Sequence, residues 1–176
     1  MDLQEGQNTG LEPGLEIVLA SRFNNPENRR REAAKAAHKR DLPGLLELLA
    51  AYLNHKRSGF STRTLEAYSL AVKRFLEFTE DPRVELTRVE LTRATVNDLE
   101  RFRDDLQRLH EPPKREVKRL KAKKLEPLEK PLAPSTRGQY LAGVSALYGA
   151  LVWAKAASEN PVREVVRRSS KTPSHE

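Results

Sequence analysis

Two short runs of this chain repeat one order of side chains, Ser61-Thr62-Arg63 and Ser135-Thr136-Arg137. A serine ahead of a helical pattern can cap the first turn with its hydroxyl. An arginine two positions later then lies in that exposed turn, beside backbone N–H groups that have no partner of their own. Hydroxyls, a guanidinium and the positive end of a helix suit one chemistry above others, the holding of phosphate. Thr64, Lys73 and Arg74 follow the first run, and Gln139 follows the second. Phosphate contacts are expected from Arg63, Thr64, Lys73, Arg74 and Arg137, while Thr62, Thr136 and Gln139 can reach base edges or backbone. Ser61 and Ser135 open the two helices, and the pairing predicts that both helices face DNA.

These residues need helices to carry them. Asp41 is a plausible N-cap with Pro43 in the following turn, and Leu45, Leu46, Leu48, Leu49, Tyr52 and Leu53 form a broad apolar face as far as Lys56. Ser58-Gly59 breaks that helix. Ser61 opens a second, with Leu65, Tyr68, Val72, Phe75, Leu76 and Thr79 inward and Arg63, Glu66, Leu70, Lys73, Arg74 and Glu77 on or near the outer side. After Asp81-Pro82, the connection from Leu86 to Arg93 is rich in β-branched and hydroxyl residues and is expected to be extended. Thr95 and Asp98 have the spacing of a capping box that opens a third helix, with Val96, Leu99, Phe102, Leu106 and Leu109 inward. Its acidic outer side, Asp98, Glu100, Asp104 and Asp105, is expected to face away from DNA. The fourth helix runs from Ser135 to about Ser158, where Asn160-Pro161 is expected to end it. Its small residues Ala146 and Gly149 are expected to allow close helix packing.

Outside these four helices the chain is basic or polar. Residues 1–26 carry glycine and proline among polar side chains and are expected to be a mobile tail. Residues 27–41 are expected to form a basic helical arm whose apolar side chains, nearly all alanine, bury little. A solvated helix and a DNA-contacting arm are both open readings. Residues 111–134 are an insertion that holds Pro112, Pro113, Pro127, Pro131 and Pro134 around the basic run Lys114 to Lys124. It is expected to act as a basic flap, with Lys118 and Lys121 on DNA; disorder, a short helix of its own and a solvated insertion with no partner are the open alternatives. Residues 162–176 have too few apolar side chains for a core element and are expected to be a basic linker.

Composition narrows the classes of function. The chain has 176 residues, 32 Lys and Arg against 25 Asp and Glu, and no cysteine. Its pI is near 9.8, which biases it toward a polyanionic partner. Without cysteine there are no disulfides, thiolate metal sites or thiol nucleophiles, in keeping with a reducing cytoplasm. No apolar stretch approaches the roughly 20 residues needed to span a bilayer, and an export signal is not evident. Tyr52, Tyr68, Tyr140 and Tyr148 fall on apolar helical faces, where core packing is expected. His38, His55, His110 and His175 lack metal-ligand spacing, so neither metal nor cofactor is expected.

The chain resembles the N-terminal core-binding domain of the tyrosine recombinases, the phage integrase and Xer family. The resemblance covers about Leu42 to Pro161. It is carried by Ser61-Thr62-Arg63-Thr64 followed by Tyr68, Phe75 and Phe78, by Ser145-Ala146-Leu147, by Trp153 and by Asn160-Pro161. It implies an all-α fold, a four-helix SAM-like bundle of two helical hairpins with a basic inter-helix insertion and flexible termini. It also implies a module that clamps one side of a recombination site in double-stranded DNA, together with other recombinase protomers in a synaptic complex. The family's nucleophilic tyrosine, arginines, lysine and histidines belong to a second domain, which the resemblance places after Pro161. The chain is therefore expected to be non-catalytic by itself, with 162–176 leading toward that domain. Where family members often carry a basic residue on either side of the Ser145-Ala146-Leu147 step, this chain has Gly143 and Tyr148. A helical protein-protein interaction module with solubilising basic arms is the alternative reading.

Overall fold

The computed structural model describes residues 22–57, 60–81, 90–110, 114–124 and 130–169. They form an all-α protein with seven α-helices: α1 (Pro26–His38), α2 (Leu42–Arg57), α3 (Thr62–Glu80), α4 (Val96–Asp105), α5 (Lys114–Ala122), α6 (Pro134–Trp153) and α7 (Pro161–Ser169). Single 3-10 turns lie at Arg22–Asn24 and Leu91–Arg93, and a two-residue antiparallel ladder pairs β1 (Leu109–His110) with β2 (Lys130–Pro131). The expected core helices correspond to α2, α3, α4 and α6.

The core lies between α2, α3 and α6. Leu45, Leu48 and Leu49 from α2, Val72 and Phe75 from α3, and Val144, Leu147 and Leu151 from α6 are at most 1 % exposed. Phe75 anchors the aromatic centre, edge-on to Phe102 at 5.1 Å and to Tyr148 at 6.1 Å. Such edge-to-face pairs add about 0.5–1.5 kcal/mol beyond the area they bury. The helix α4 opens on the expected capping box: Thr95 Oγ1 accepts from the Asp98 N–H at 3.3 Å, and Asp98 Oδ2 accepts from the Thr95 N–H at 2.8 Å.

Close approach is what the small residues supply. A Cβ on Gly143 would run into the Cβ of Ala71, so α6 crosses α3 at the middle of both helices. Gly149 meets the Tyr52 hydroxyl of α2 in the same way, at 2.9 Å from an added Cβ.

The ends of the chain depart from expectation. Phe23 is fully buried in the core, so residues 22–26 belong to the fold rather than to a tail; residues 1–21 lie outside the described residues. Helix α1 is an integral element, not an arm that buries little. Asn25 caps it, with Oδ1 accepting from the Glu27 N–H at 2.9 Å, and Pro26 occupies its first position. Ala33, Ala36 and Ala37 are at most 3 % exposed, because alanine lets the α1 backbone settle against α2 and the Leu91–Arg93 turn. An alanine face buries little area per residue but packs closely, a case that periodicity of large apolar residues does not register. The Arg29 guanidinium lies 3.8 Å above the Trp153 ring, and its Nε donates to the Phe23 carbonyl at 2.7 Å, tying α1 and the first turn to α6.

The C-terminal segment also departs. Asn160-Pro161 does not simply end α6, which stops at Trp153; it starts α7, with Pro161 at the first helical position. Asn160 Oδ1 accepts from the Val162 N–H at 3.2 Å, while its Nδ2 donates to the Ser145 carbonyl at 2.9 Å. Two of the motifs that carried the resemblance are thus joined by one side chain. Val162 and Val165 are fully buried, so residues 162–169 are a core element and not a linker; residues 170–176 lie outside the described residues. Two inward valines one turn apart suffice for a nine-residue helix.

In the expected extended connection, residues 91–93 are a 3-10 turn with Leu91 buried; residues 86–89 lie outside the described residues. The insertion has its own helix, α5, as one of its expected forms, set beyond the β1–β2 ladder. Helix α4 is shorter than expected: it closes at Asp105 with Leu106 buried as C-cap, and Leu109 sits in the ladder opposite Pro131.

Candidate nucleic-acid interface

The two Ser-Thr-Arg runs open helices whose N-terminal halves lie side by side. Helices α3 and α6 cross at Ala71 and Gly143; beyond the crossing Phe75 meets Tyr148, and before it Ala67 and Leu70 share a cleft with Thr136, Gln139 and Tyr140. Both helices therefore run in the same direction, and their first turns, with their unpaired N–H groups and positive dipole ends, lie together.

The two openings are built differently. At α3, Ser61 Oγ accepts from the Thr64 N–H at 3.1 Å and shares a 2.8 Å hydrogen bond with Thr64 Oγ1. Both hydroxyls are engaged in the cap, which leaves Thr62 and Arg63, exposed in the first turn, to meet a ligand. At α6 the helix starts one residue earlier than expected, at Pro134, with Ala133 as N-cap. Ser135 is therefore not a cap, and no side chain caps the first turn. Proline at the first position explains the shift: its ring presets the helical φ and its missing N–H costs nothing there. Ser135 and Gln139 are exposed, and Thr136 and Arg137 are half-buried. Arg137 Nε is buried without a hydrogen-bond partner among the described residues.

The remaining expected contacts divide. Lys73 is exposed and forms no ion pair among the described residues. Arg74 is turned to an internal use: its Nη2 lies 2.9 Å from Asp105 Oδ2, with only 30 % and 15 % of the two side chains exposed. Its expected place on DNA is corrected accordingly, since that guanidinium joins α3 to α4. Lys118 and Lys121 are exposed on α5, together with Arg119, Lys123 and Lys124 beyond them. The half-buried residues of α5 are Val117 and Leu120.

Sequence reasoning put Leu70 on the outer side of α3 without a role and passed over Ala67. Leu70 is 62 % exposed, and with Ala67 it forms the apolar wall of a cleft of about 120 Å³ whose other side is Thr136, Gln139 and Tyr140. The signal was present in the spacing: Arg63, Ala67, Leu70 and Lys73 recur at helical intervals along one exposed stripe of α3.

At the other end of the chain two of the three arginines of α7 are spent within the fold. Arg167 and Arg168 of α7 pair with carboxylates while Arg163 stays exposed: Glu164 accepts from Arg167 at 2.7 Å and from Arg168 at 3.0 Å, and Arg168 also reaches Glu100 of α4 at 3.2 Å. Hydrogen bonds from Arg167 and Arg168 hold the Glu164 carboxyl well below its ordinary range, at about 2. Of the acidic residues of α4, Glu100 thus faces α7, while Asp105 turns to Arg74 of α3. Tyr148 is 1 % exposed, and burial, reinforced by the charge of Asp98 and opposed by that of Arg40, raises its hydroxyl pKa, the wrong direction for a nucleophile. Among the described residues no three His, Asp or Glu side chains come together to hold a metal ion, and no helix is long and apolar enough to cross a membrane.

No protein-family model, curated protein or solved structure gives a significant match to this chain.

Proposed function

We propose that this chain is a DNA-binding helical module, the core-binding part of a site-specific tyrosine recombinase of the phage integrase and Xer type. Its α2, α3, α4 and α6 would then be the four helices of a SAM-like bundle. In this reading the chain grips duplex DNA at a recombination site during integration or recombination in the cytoplasm, without a metal or other cofactor, and does no chemistry by itself. Other recombinase protomers would be its neighbours on the DNA.

One observation carries the reading: the first turns of α3 and α6 lie at the same end, and their arginines, Arg63 and Arg137, form no ion pair among the described residues. Most arginines elsewhere on the described surface face a carboxylate, as Arg22, Arg74, Arg93, Arg167 and Arg168 do. Cations left unpaired beside two helix N-termini attract a polyanion. Lys73 extends the patch along α3, and Lys118 and Lys121 on α5 are further exposed cations.

Replacing Arg63 and Arg137 together by alanine tests this. The double variant should keep its helical circular dichroism and lose about two units of the log–log salt slope of duplex binding, with affinity down at least tenfold at low salt. Unchanged binding by the folded variant would remove these residues from the interface.

A further inference from the structure

We infer that the cleft between α3 and α6 reads thymine, so that the chain prefers A·T pairs in the major groove. The inference rests on the DNA-binding reading above and adds to it a base preference. An exposed leucine needs a reason only when it lies in a patch built for something else, and Leu70 does: it stands between Arg63 and Lys73 on one stripe of α3. The ten steps from Arg63 to Lys73 span about 15 Å along a helix, while a major groove is about 12 Å wide. Two cations at that separation can hold the phosphates on either side of the groove, which seats Ala67 and Leu70 over its floor. Glu66, exposed one turn from Leu70, repels phosphate and so favours backbone contacts at the two ends of the stripe.

The floor of the major groove offers one apolar group, the thymine C5-methyl. Leu70 and Ala67 form an apolar wall that a methyl group would complete, and the cleft of about 120 Å³ has room for it. Across the cleft stand Gln139 and Thr136, with Gln139 exposed and without a hydrogen-bond partner among the described residues. A glutamine amide matches the N6 and N7 pair of adenine in both donor and acceptor. An apolar wall facing an amide is therefore complementary to the two halves of one A·T pair.

The test is selection of the full chain on a random duplex library, followed by titration of the recovered duplex in three forms: with thymine, with deoxyuridine in its place, and with A·T pairs changed to G·C. The thymine form should bind roughly three- to fivefold more tightly than the deoxyuridine form for each methyl contacted, the factor that burial of one methyl group carries. Leu70→Ala should erase that difference without loss of folding, since Leu70 is exposed, and Gln139→Ala should erase the preference over G·C. Equal affinity for the thymine and deoxyuridine forms, with salt-dependent binding intact, would overturn the base preference and leave the DNA-binding reading standing. Failure to bind any duplex would remove that reading, and the base preference with it.

Discussion

Gly143 rests directly on Ala71, and that contact sets the openings of α3 and α6 toward one end of the molecule. The missing Cβ matters because the neighbours cannot yield: an added atom would strike the Ala71 Cβ and come within 3.3 Å of the Tyr68 Cα, part of the α3 backbone. Gly143→Ala should therefore destabilise the fold by about 1–3 kcal/mol, the usual cost of overpacking a close contact, measured by urea unfolding. Gly138, with nothing within 4 Å of its added Cβ, is the control on the same helix. Gly138→Ala should stabilise by about 0.5–1 kcal/mol by removing glycine's extra chain entropy.

Three helices end on residues with positive φ that are not glycine: Arg40 at φ 51° after α1, Lys124 at φ 56° after α5 and Lys155 at φ 58° after α6. Around Lys155 the Ala156 N–H reaches back to the Leu151 carbonyl at 2.9 Å, the closing bond of a Schellman turn. A side chain in this left-handed region costs about 1–2 kcal/mol relative to glycine. Lys155 is exposed and forms no ion pair among the described residues, so Lys155→Gly should raise stability by about 1 kcal/mol in thermal or urea unfolding. Arg40→Gly should not share the gain, because the Arg40 guanidinium donates to the buried Thr79 hydroxyl.

Acid should loosen α7. The pKa of Glu164 is depressed to about 2 from an ordinary 4.5, first by hydrogen bonds from Arg167 and Arg168. The unfolded chain takes up that proton first as pH falls, so the stabilisation is fully present above about 4.5 and is lost between about 4.5 and about 2. Its size is small, because these side chains lie at the surface. Glu164→Gln should flatten the pH dependence of amide exchange in α7 across that window. An identical profile in wild type and variant would show that the pairing does not hold the helix.

The helices with large apolar faces were legible in the sequence, as the spacing of Leu45, Leu48 and Leu49 or of Val72, Phe75 and Leu76 shows, and so was the Thr95–Asp98 capping box. What was not legible was burial achieved with few or small side chains. Ala33, Ala36 and Ala37 carry no strong periodic signal, Val162 and Val165 are a pair among arginines, and Phe23 is a single ring in a polar stretch. Each is buried because of what packs on it from elsewhere in the chain. At the candidate interface the sequence marked Arg63 and Arg137 by their motif, but the Arg74–Asp105 ion pair depends on how α3 meets α4 and leaves no local trace. Leu70 was placed on the outer side correctly; its meaning depends on the neighbouring α6.

The most direct test of the central claim is duplex DNA binding by this chain over a salt series, in the presence of unrelated competitor DNA. Affinity should fall with a log–log slope of about −3 or steeper, as expected when Arg63, Lys73, Arg137 and basic residues of α5 displace counterions, and binding to some sequences should survive competitor. Binding that is absent, or that competitor abolishes for every sequence, would contradict the claim.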